Sequence, residues 1–293
     1  MSRQRHDLSR DIYMRLKFMY DSGKGQDRHK DKQSGDDVFR IYSTRTYQTY
    51  RQQGNQFAVF AKKQGCKSLD QARKVVPDYL QSLIDSGKSG YSVRTAASAI
   101  GKIYGINYGS FGVVIPERYR AGITNNRGTS KAVERKHVST DLLEKYGSIL
   151  RCIGLRRSEA LLARGSDLVE KDGRFYINIP RGKGGKARTA IIQGTAAEIE
   201  KVVNKFIAAG SGKIWQAGIP KDVPVHRFRA EYAERLYKAV ARPVESLRGH
   251  DRYVCRNDMA GVVYDRAALC YVSRQLGHNR ESVVAVNYLH GGV

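Results

Sequence analysis

One stretch of this sequence changes its hydrophobic period. Phe175, Ile177 and Ile179 alternate with Tyr176 and Asn178, Gly182-Lys183-Gly184-Gly185 supplies a tight turn, and residues 187–192 return as a second apolar run. Alternation at a period of two on either side of a glycine-rich turn predicts a β-hairpin, since successive strand side chains point to opposite faces. Nearly everywhere else the apolar residues recur at three- and four-residue steps, the spacing of a helix face. The chain is therefore confined to a mainly α fold with a small β-hairpin or sheet (α+β). Lys183 falls at or near the tip of the hairpin.

The 293 residues exceed one typical domain and imply two. Lys and Arg total 52 against 28 Asp and Glu, a net charge of +24. Such an excess repels itself and implies a polyanionic partner. Nucleic acid is the first candidate and an anionic membrane surface the second. No run approaches the roughly 18 apolar residues a spanning helix needs, and the charged N-terminus has no apolar core or cleavage site behind it. Cys66, Cys152, Cys255 and Cys270 never form Cys-x-x-Cys, which argues against a zinc site or a disulfide framework. The expectation is a cytoplasmic, nucleoid-associated protein with reduced thiols and no membrane partner.

Residues 1–35 hold one amphipathic candidate, with Leu8, Ile12, Leu16 and Met19 at helical spacing, and then a Gly/Asp/Lys/Gln-rich joint over 25–35. Two readings stand for this segment: a loosely docked helix, or a basic arm reaching DNA. Residues 36–110 read as a helical bundle. Ser43 caps one helix, Ser68-Leu69-Asp70-Gln71 is a capping box, Pro77 starts the next helix, and Ser92 caps another. Residues 111–137 lose periodicity and read as a linker. The second domain covers 138–293. Ser139 or Thr140 caps a helix that Gly154 breaks, and a short helix follows from Ser158. Beyond the hairpin come helices over 196–208 and 225–240, a third capped by Asp265, and a last one capped by Asn279. Residues 242–264 between them are irregular and form a hairpin of their own, on this reading.

Five elements of this second domain carry candidate chemistry. Arg156 stands at a helix junction beside Ser158 and Glu159, where a cation and a helix start favour a phosphate. Lys183 is on the hairpin, with Lys186 as its rival. His226 and Arg229 lie three apart on one helix face. His278 ends a helix, and Tyr288 follows on the next.

In this order these residues resemble the active site of the tyrosine recombinases, the family of phage and transposon integrases, Xer recombinases and Cre. Gly154-Leu155-Arg156-Arg157-Ser158-Glu159 resembles the family's first arginine box, residues 182–188 its lysine hairpin, and His226-Arg227-Phe228-Arg229 its His-x-x-Arg box. Leu276-Gly277-His278 with Asn287-Tyr288-Leu289-His290 resembles its last histidine and nucleophile. The bundle over 36–110 resembles the core DNA-binding domain, so the likeness spans most of the chain.

The resemblance implies a site-specific DNA recombinase, an integrase of a mobile element. Tyr288 would attack a phosphodiester and leave a 3′-phosphotyrosyl link. Arg156 and Arg229 would stabilise the pentacoordinate phosphate with planar donors. His226 would accept the tyrosine proton, Lys183 would protonate the leaving 5′-oxygen, and His278 would hydrogen-bond the phosphate. It implies no metal and no cofactor, because the arginines bring the positive charge. It also implies a homotetramer on two double-stranded DNA recombination sites. Arg157 and Arg227 are expected to face outward or to touch the DNA backbone, and Glu159 to hold Arg156 or cap its helix.

The sequence departs from the family pattern in several places. Ala230 follows Arg229 where a second His is common, and the stretch from Arg229 to His278 is longer than in compact members. Tyr288 falls ten residues after His278 rather than nine, and five residues follow Tyr288. How protomers are held together is therefore open, and residues 242–264 could serve that contact or DNA. Alternative functions are a catalytically silent DNA-binding relative, an Xer-like dimer resolvase, or a topoisomerase-like strand-passing enzyme.

Overall fold

The computed structural model describes residues 7–118, 138–182, 187–256 and 259–289. The chain separates into two units, 1–123 and 124–293.

The first unit is helical: α1 (Leu8–Gly23), α2 (Arg28–Ser34), α3 (Thr44–Lys63), α4 (Leu69–Lys74), α5 (Val76–Asp85) and α6 (Gly90–Tyr104). Leu8, Ile12, Leu16 and Met19 on α1 are at most 2% exposed and share one core with α3 and α6. The segment read either as a docked helix or as a basic arm forms α1, packed on the bundle by this face. The helices approach closely because Gly54 of α3 faces α1, where an added Cβ would lie 2.7 Å from Ile12 Cγ2. Lys62 near the end of α3 ties down the start of α1 by pairing with Asp7 and donating to Ser9 Oγ at 2.8 Å. The joint expected over 25–35 contains α2, whose Asp31 is buried against Arg40 (2.8 Å) and Tyr42 (2.8 Å). Ser43 and Ser68 cap as expected. Gln71, however, accepts from Lys67 N rather than closing the box on Ser68. The cap of α6 is Ser89, not Ser92, whose own N–H donates to Ser89 Oγ. Most of the expected linker lies outside the described residues.

The second unit contains α7 (Thr140–Ile153), α8 (Arg157–Ala160), β1 (Leu168–Lys171), β2 (Arg174–Ile179), β3 (Arg188–Ile191), α9 (Ala196–Ala209), α10 (Val225–Val240), β4 (Arg252–Val254), β5 (Val263–Asp265), α11 (Arg266–Gln275) and α12 (Glu281–Asn287). The expected hairpin is β2–β3, paired antiparallel with Tyr176 opposite Ile191. A third strand, β1, joins its edge in the order β1-β2-β3. The turn between β1 and β2 is Asp172-Gly173, both at positive φ, the conformation a two-residue hairpin of this twist requires. Residues 242–264 do include a hairpin, β4–β5.

Two apolar clusters share α10. Val225 and Phe228 pack with α7, α9 and the sheet, while Tyr232, Ala233 and Leu236 pack with α11 and α12. The helices α7 and α10 nearly touch at Gly147, where a Cβ would lie 2.6 Å from the Phe228 ring. This crossing brings the end of α7 to the Arg229 turn of α10. Asp265 caps α11 by accepting from Ala267 N at 2.9 Å. It also pairs with Arg242 at 2.8 Å, which holds its carboxyl down at about 2. The cap of α12 is Arg280, one residue beyond the expected Asn279. Among the described residues no helix is long and apolar enough to cross a membrane.

Candidate active site

Each functional side chain stands where an element ends or crosses another. Gly154 closes α7 in the left-handed conformation (φ 57°), and the chain turns sharply into α8 with Arg156 at its N-cap. Any Cβ on Gly154 would also strike the Tyr232 ring. Gly154→Ala is therefore expected to cost at least about 2 kcal/mol from strain and overpacking, read as a lowered Tm, and to displace Arg156 with it. On α11, Gly277 (φ 68°) ends the helix with paired bonds from Gly277 N to Arg274 O and from His278 N to Ser273 O, which points His278 back over the helix end. Tyr288 closes α12. Val284, Ala285 and Leu289 are fully buried around it, and Tyr288 itself is 8% exposed.

Four of the expected residues converge. Arg229 Nε donates to the Tyr288 hydroxyl at 3.1 Å, and that hydroxyl lies 3.3 Å from His278 Nε2. His278 Nε2 is in turn 3.2 Å from Arg156 Nη2. Guanidinium N–H groups only donate. His278 Nε2 therefore accepts from Arg156 and the Tyr288 hydroxyl accepts from Arg229, with that hydroxyl beside the same ring nitrogen. The tyrosine expected from the sequence as nucleophile thus sits between Arg229 and His278 of its own chain, with Arg156 beyond the imidazole.

Arg229 is wholly buried. Besides Tyr288 it donates to the carbonyls of Gly154 and Leu276, so one guanidinium joins the ends of α7, α11 and α12. Burial draws its pKa down, and the hydroxyl of Tyr288 opposes that shift. His226 stands one turn earlier on α10 and is exposed. The imidazole bonded to the tyrosine hydroxyl is that of His278, where His226 was expected as proton acceptor. Lys183, with its rival Lys186, lies outside the described residues.

Beneath these groups is Glu159, 5% exposed. Its carboxylate accepts from Arg156 N at 2.8 Å and Arg156 Nη1 at 2.7 Å, so it both holds the arginine and caps the start of α8. Arg188 grips the same carboxylate at 2.9 and 2.8 Å, and Arg229 Nη1 is 3.9 Å away. Burial pushes the Glu159 carboxyl upward, but the bonds from Arg188 and Arg156 outweigh it and hold the group at about 2.

Arg188 is the residue the sequence reading passed over. Its signal was there: Arg188 shares strand parity with Ala190 and Ile192, both buried, and so points inward. Arg157 was expected to face outward or to touch DNA. Its guanidinium instead donates to the carbonyls of Ile219, Pro220, Lys221 and Val223, fixing the loop that leads into α10. Arg227 does face outward, paired with Glu231 at 3.2 Å.

A solved complex of the XerH site-specific recombinase, bound to a palindromic difH substrate after cleavage, is similar over 96% of this chain and 91% of its own, with a TM-score of 0.52 and 16% identity. The fold is that of the tyrosine recombinases. A pre-cleavage XerH complex matches over 97% and 91% at 15% identity (TM-score 0.49). The Tn1549 transposon integrase with transposon right-end DNA matches over 96% and 95% at 11% (TM-score 0.46). No family model matches the sequence, and no curated protein does. In the recombinase fold found here, the mainly α second unit with its small antiparallel sheet carries the converging residues.

Proposed function

We propose that this protein is a site-specific DNA recombinase that cuts and rejoins DNA through a 3′-phosphotyrosyl intermediate. The observation that carries the reading is the placement of the Tyr288 hydroxyl between Arg229 Nε and His278 Nε2, with Arg156 on the far side of the imidazole. A phenol is a weak nucleophile until its proton leaves and its developing charge is met by fixed donors. The Arg229 donor and the His278 ring nitrogen beside the hydroxyl support a reading in which both conditions are met.

In this reading Arg156 turns from His278 Nε2 to the phosphate, and the lone pair so freed takes the Tyr288 proton as the phenolic oxygen attacks phosphorus. Arg156 and Arg229 hold the non-bridging oxygens, whose charge grows in the pentacoordinate state. His226, one turn before Arg229, hydrogen-bonds the phosphate, and Lys183 protonates the departing 5′-oxygen. Because each transesterification conserves one phosphodiester bond, rejoining consumes no nucleotide. The two arginines supply the positive charge, so the chemistry asks for no metal. The net charge of +24 supports a long phosphate backbone as partner. Action as a homotetramer on two duplex sites, in the integration or excision of a mobile element, follows from the same resemblance of motifs.

A nicked duplex whose short 5′-product diffuses away tests the reading. The protein should accumulate as a denaturant-stable DNA adduct, and proteolysis with mass spectrometry should place the link on the peptide containing Tyr288. Tight, salt-sensitive binding without any adduct would instead identify a silent DNA-binding relative.

A further inference from the structure

Arg188 opens β3 directly behind the hairpin turn, and its side chain is 8% exposed. Its two terminal nitrogens grip the two oxygens of Glu159 in a fork, while its Nε donates to Gln275 O at 3.1 Å. Its stem crosses Gly277, where an added Cβ would lie 2.8 Å from Arg188 Cδ. One side chain therefore touches the carboxylate under Arg156 and the turn that presents His278. Gln275 reinforces the same junction by accepting from Ile191 N of β3 at 2.8 Å.

We propose that Arg188 is a positioning residue of the cleavage site, neutralising Glu159 so that the charge of Arg156 stays available to a phosphate, and fixing the His278 turn against the hairpin strand. The inference rests on the recombinase reading. Its basis is the way the carboxylate is saturated. Oε1 accepts from Arg156 Nη1 and Arg188 Nη1, and Oε2 from Arg156 N and Arg188 Nη2, so all four lone-pair positions are filled. With Arg188 in place, Glu159 can hold Arg156 by one nitrogen and leave Nη2 directed at His278. Without it, an uncompensated carboxylate would draw the Arg156 guanidinium inward and cancel charge the phosphate needs.

The test is single-turnover adduct formation on a nicked duplex at saturating protein, beside duplex affinity. Arg188→Met should slow adduct formation on the order of 100-fold, the usual effect of displacing a reacting group by about an ångström. Duplex affinity should change less than about threefold, because the Arg188 nitrogens are committed to Glu159 and to Gln275 O. Arg188→Lys keeps the charge without the fork and should fall between, at about a tenfold loss. The deciding comparison is Glu159→Gln with Arg188→Met. The neutral amide still caps Arg156 and no longer needs a counter-charge, so the double variant should cleave about tenfold faster than Arg188→Met alone. A double variant no faster than the single one overturns the proposal, as does wild-type cleavage by Arg188→Met. Should Arg188→Met not fold, the double variant and Arg188→Lys carry the comparison, since neither leaves an unpaired buried carboxylate. A wild-type protein that forms no adduct overturns the recombinase reading itself.

Discussion

Tyr288→Phe is expected to bind duplex DNA as the wild type does and to form no covalent adduct at any pH or time. The substitution removes one oxygen and keeps the ring, which is 8% exposed and lies with its centroid 5.5 Å from the Arg229 guanidinium carbon. Packing against Val284, Ala285 and Leu289 is therefore retained. Losing the hydroxyl leaves the buried Arg229 Nε without its acceptor and costs about 1–3 kcal/mol of stability, read as a lowered Tm. Chemistry, by contrast, loses its nucleophile. The measurement is the denaturant-stable adduct on a nicked duplex, run with a binding isotherm. An adduct that persists in this variant would mean that another of the 18 tyrosines attacks, and the assignment of Tyr288 would fail.

The second large effect is on the fold around Glu159. Glu159→Ala leaves Arg156, Arg188 and Arg229 facing one another without the carboxylate between them, at contacts that were 2.7, 2.8 and 3.9 Å. Breaking a buried ion pair from one side costs about 3–5 kcal/mol because the remaining charge is stranded. Adduct formation should be lost along with stability, since Arg156 loses the carboxylate that accepts from both its N–H and its Nη1. The same group makes stability depend on pH in a definite direction. Its folded pKa of about 2 lies below the ordinary 4.5, so its contribution is complete above 4.5 and disappears as pH falls through about 2. That difference corresponds to about 3 kcal/mol. Asp265, also held at about 2 by Arg242, titrates in the same window. The wild-type acid profile therefore reports both groups, and the difference between wild type and Glu159→Gln isolates one. Thermal melts between pH 6 and 2 should show a gap between the two proteins that is constant down to about 4.5 and narrows from there toward about 2, and a gap constant throughout would contradict the assignment.

Much of the site was legible because its chemistry is written in local order. Arg156 after the Gly154 break, Arg229 three residues beyond His226, His278 after Gly277 and Tyr288 at a helix end are each set by cap or periodic signals within a few residues. Helix α10 falls where its apolar spacing placed it, over Val225–Val240. The strand β1 escaped because Leu168-Val169-Glu170-Lys171 is too short and too charged to alternate, although Asp172-Gly173 marked its turn. The first helix was read in place, with its partner left open. The spacing of Leu8, Ile12, Leu16 and Met19 gives a face but not what the face meets, and it meets α3 closely at Gly54.

The sequence by itself determined most of the helices, the period change at the hairpin and the candidate residues Arg156, Arg229, His278 and Tyr288. Tertiary structure decided which of them meet. Arg157 and Arg188 are both arginines beside a candidate motif, yet one braces a loop by its carbonyls and the other braces Glu159. Nothing in either one's neighbours along the chain separates these fates. A guanidinium goes wherever the folded chain presents acceptors in its plane, and those acceptors come from residues 62 and 29 positions away along the chain. The same reason gives Tyr288 to His278 and Arg229: its partners are set by the crossing of α10 and α11 beneath α12, which no local pattern records.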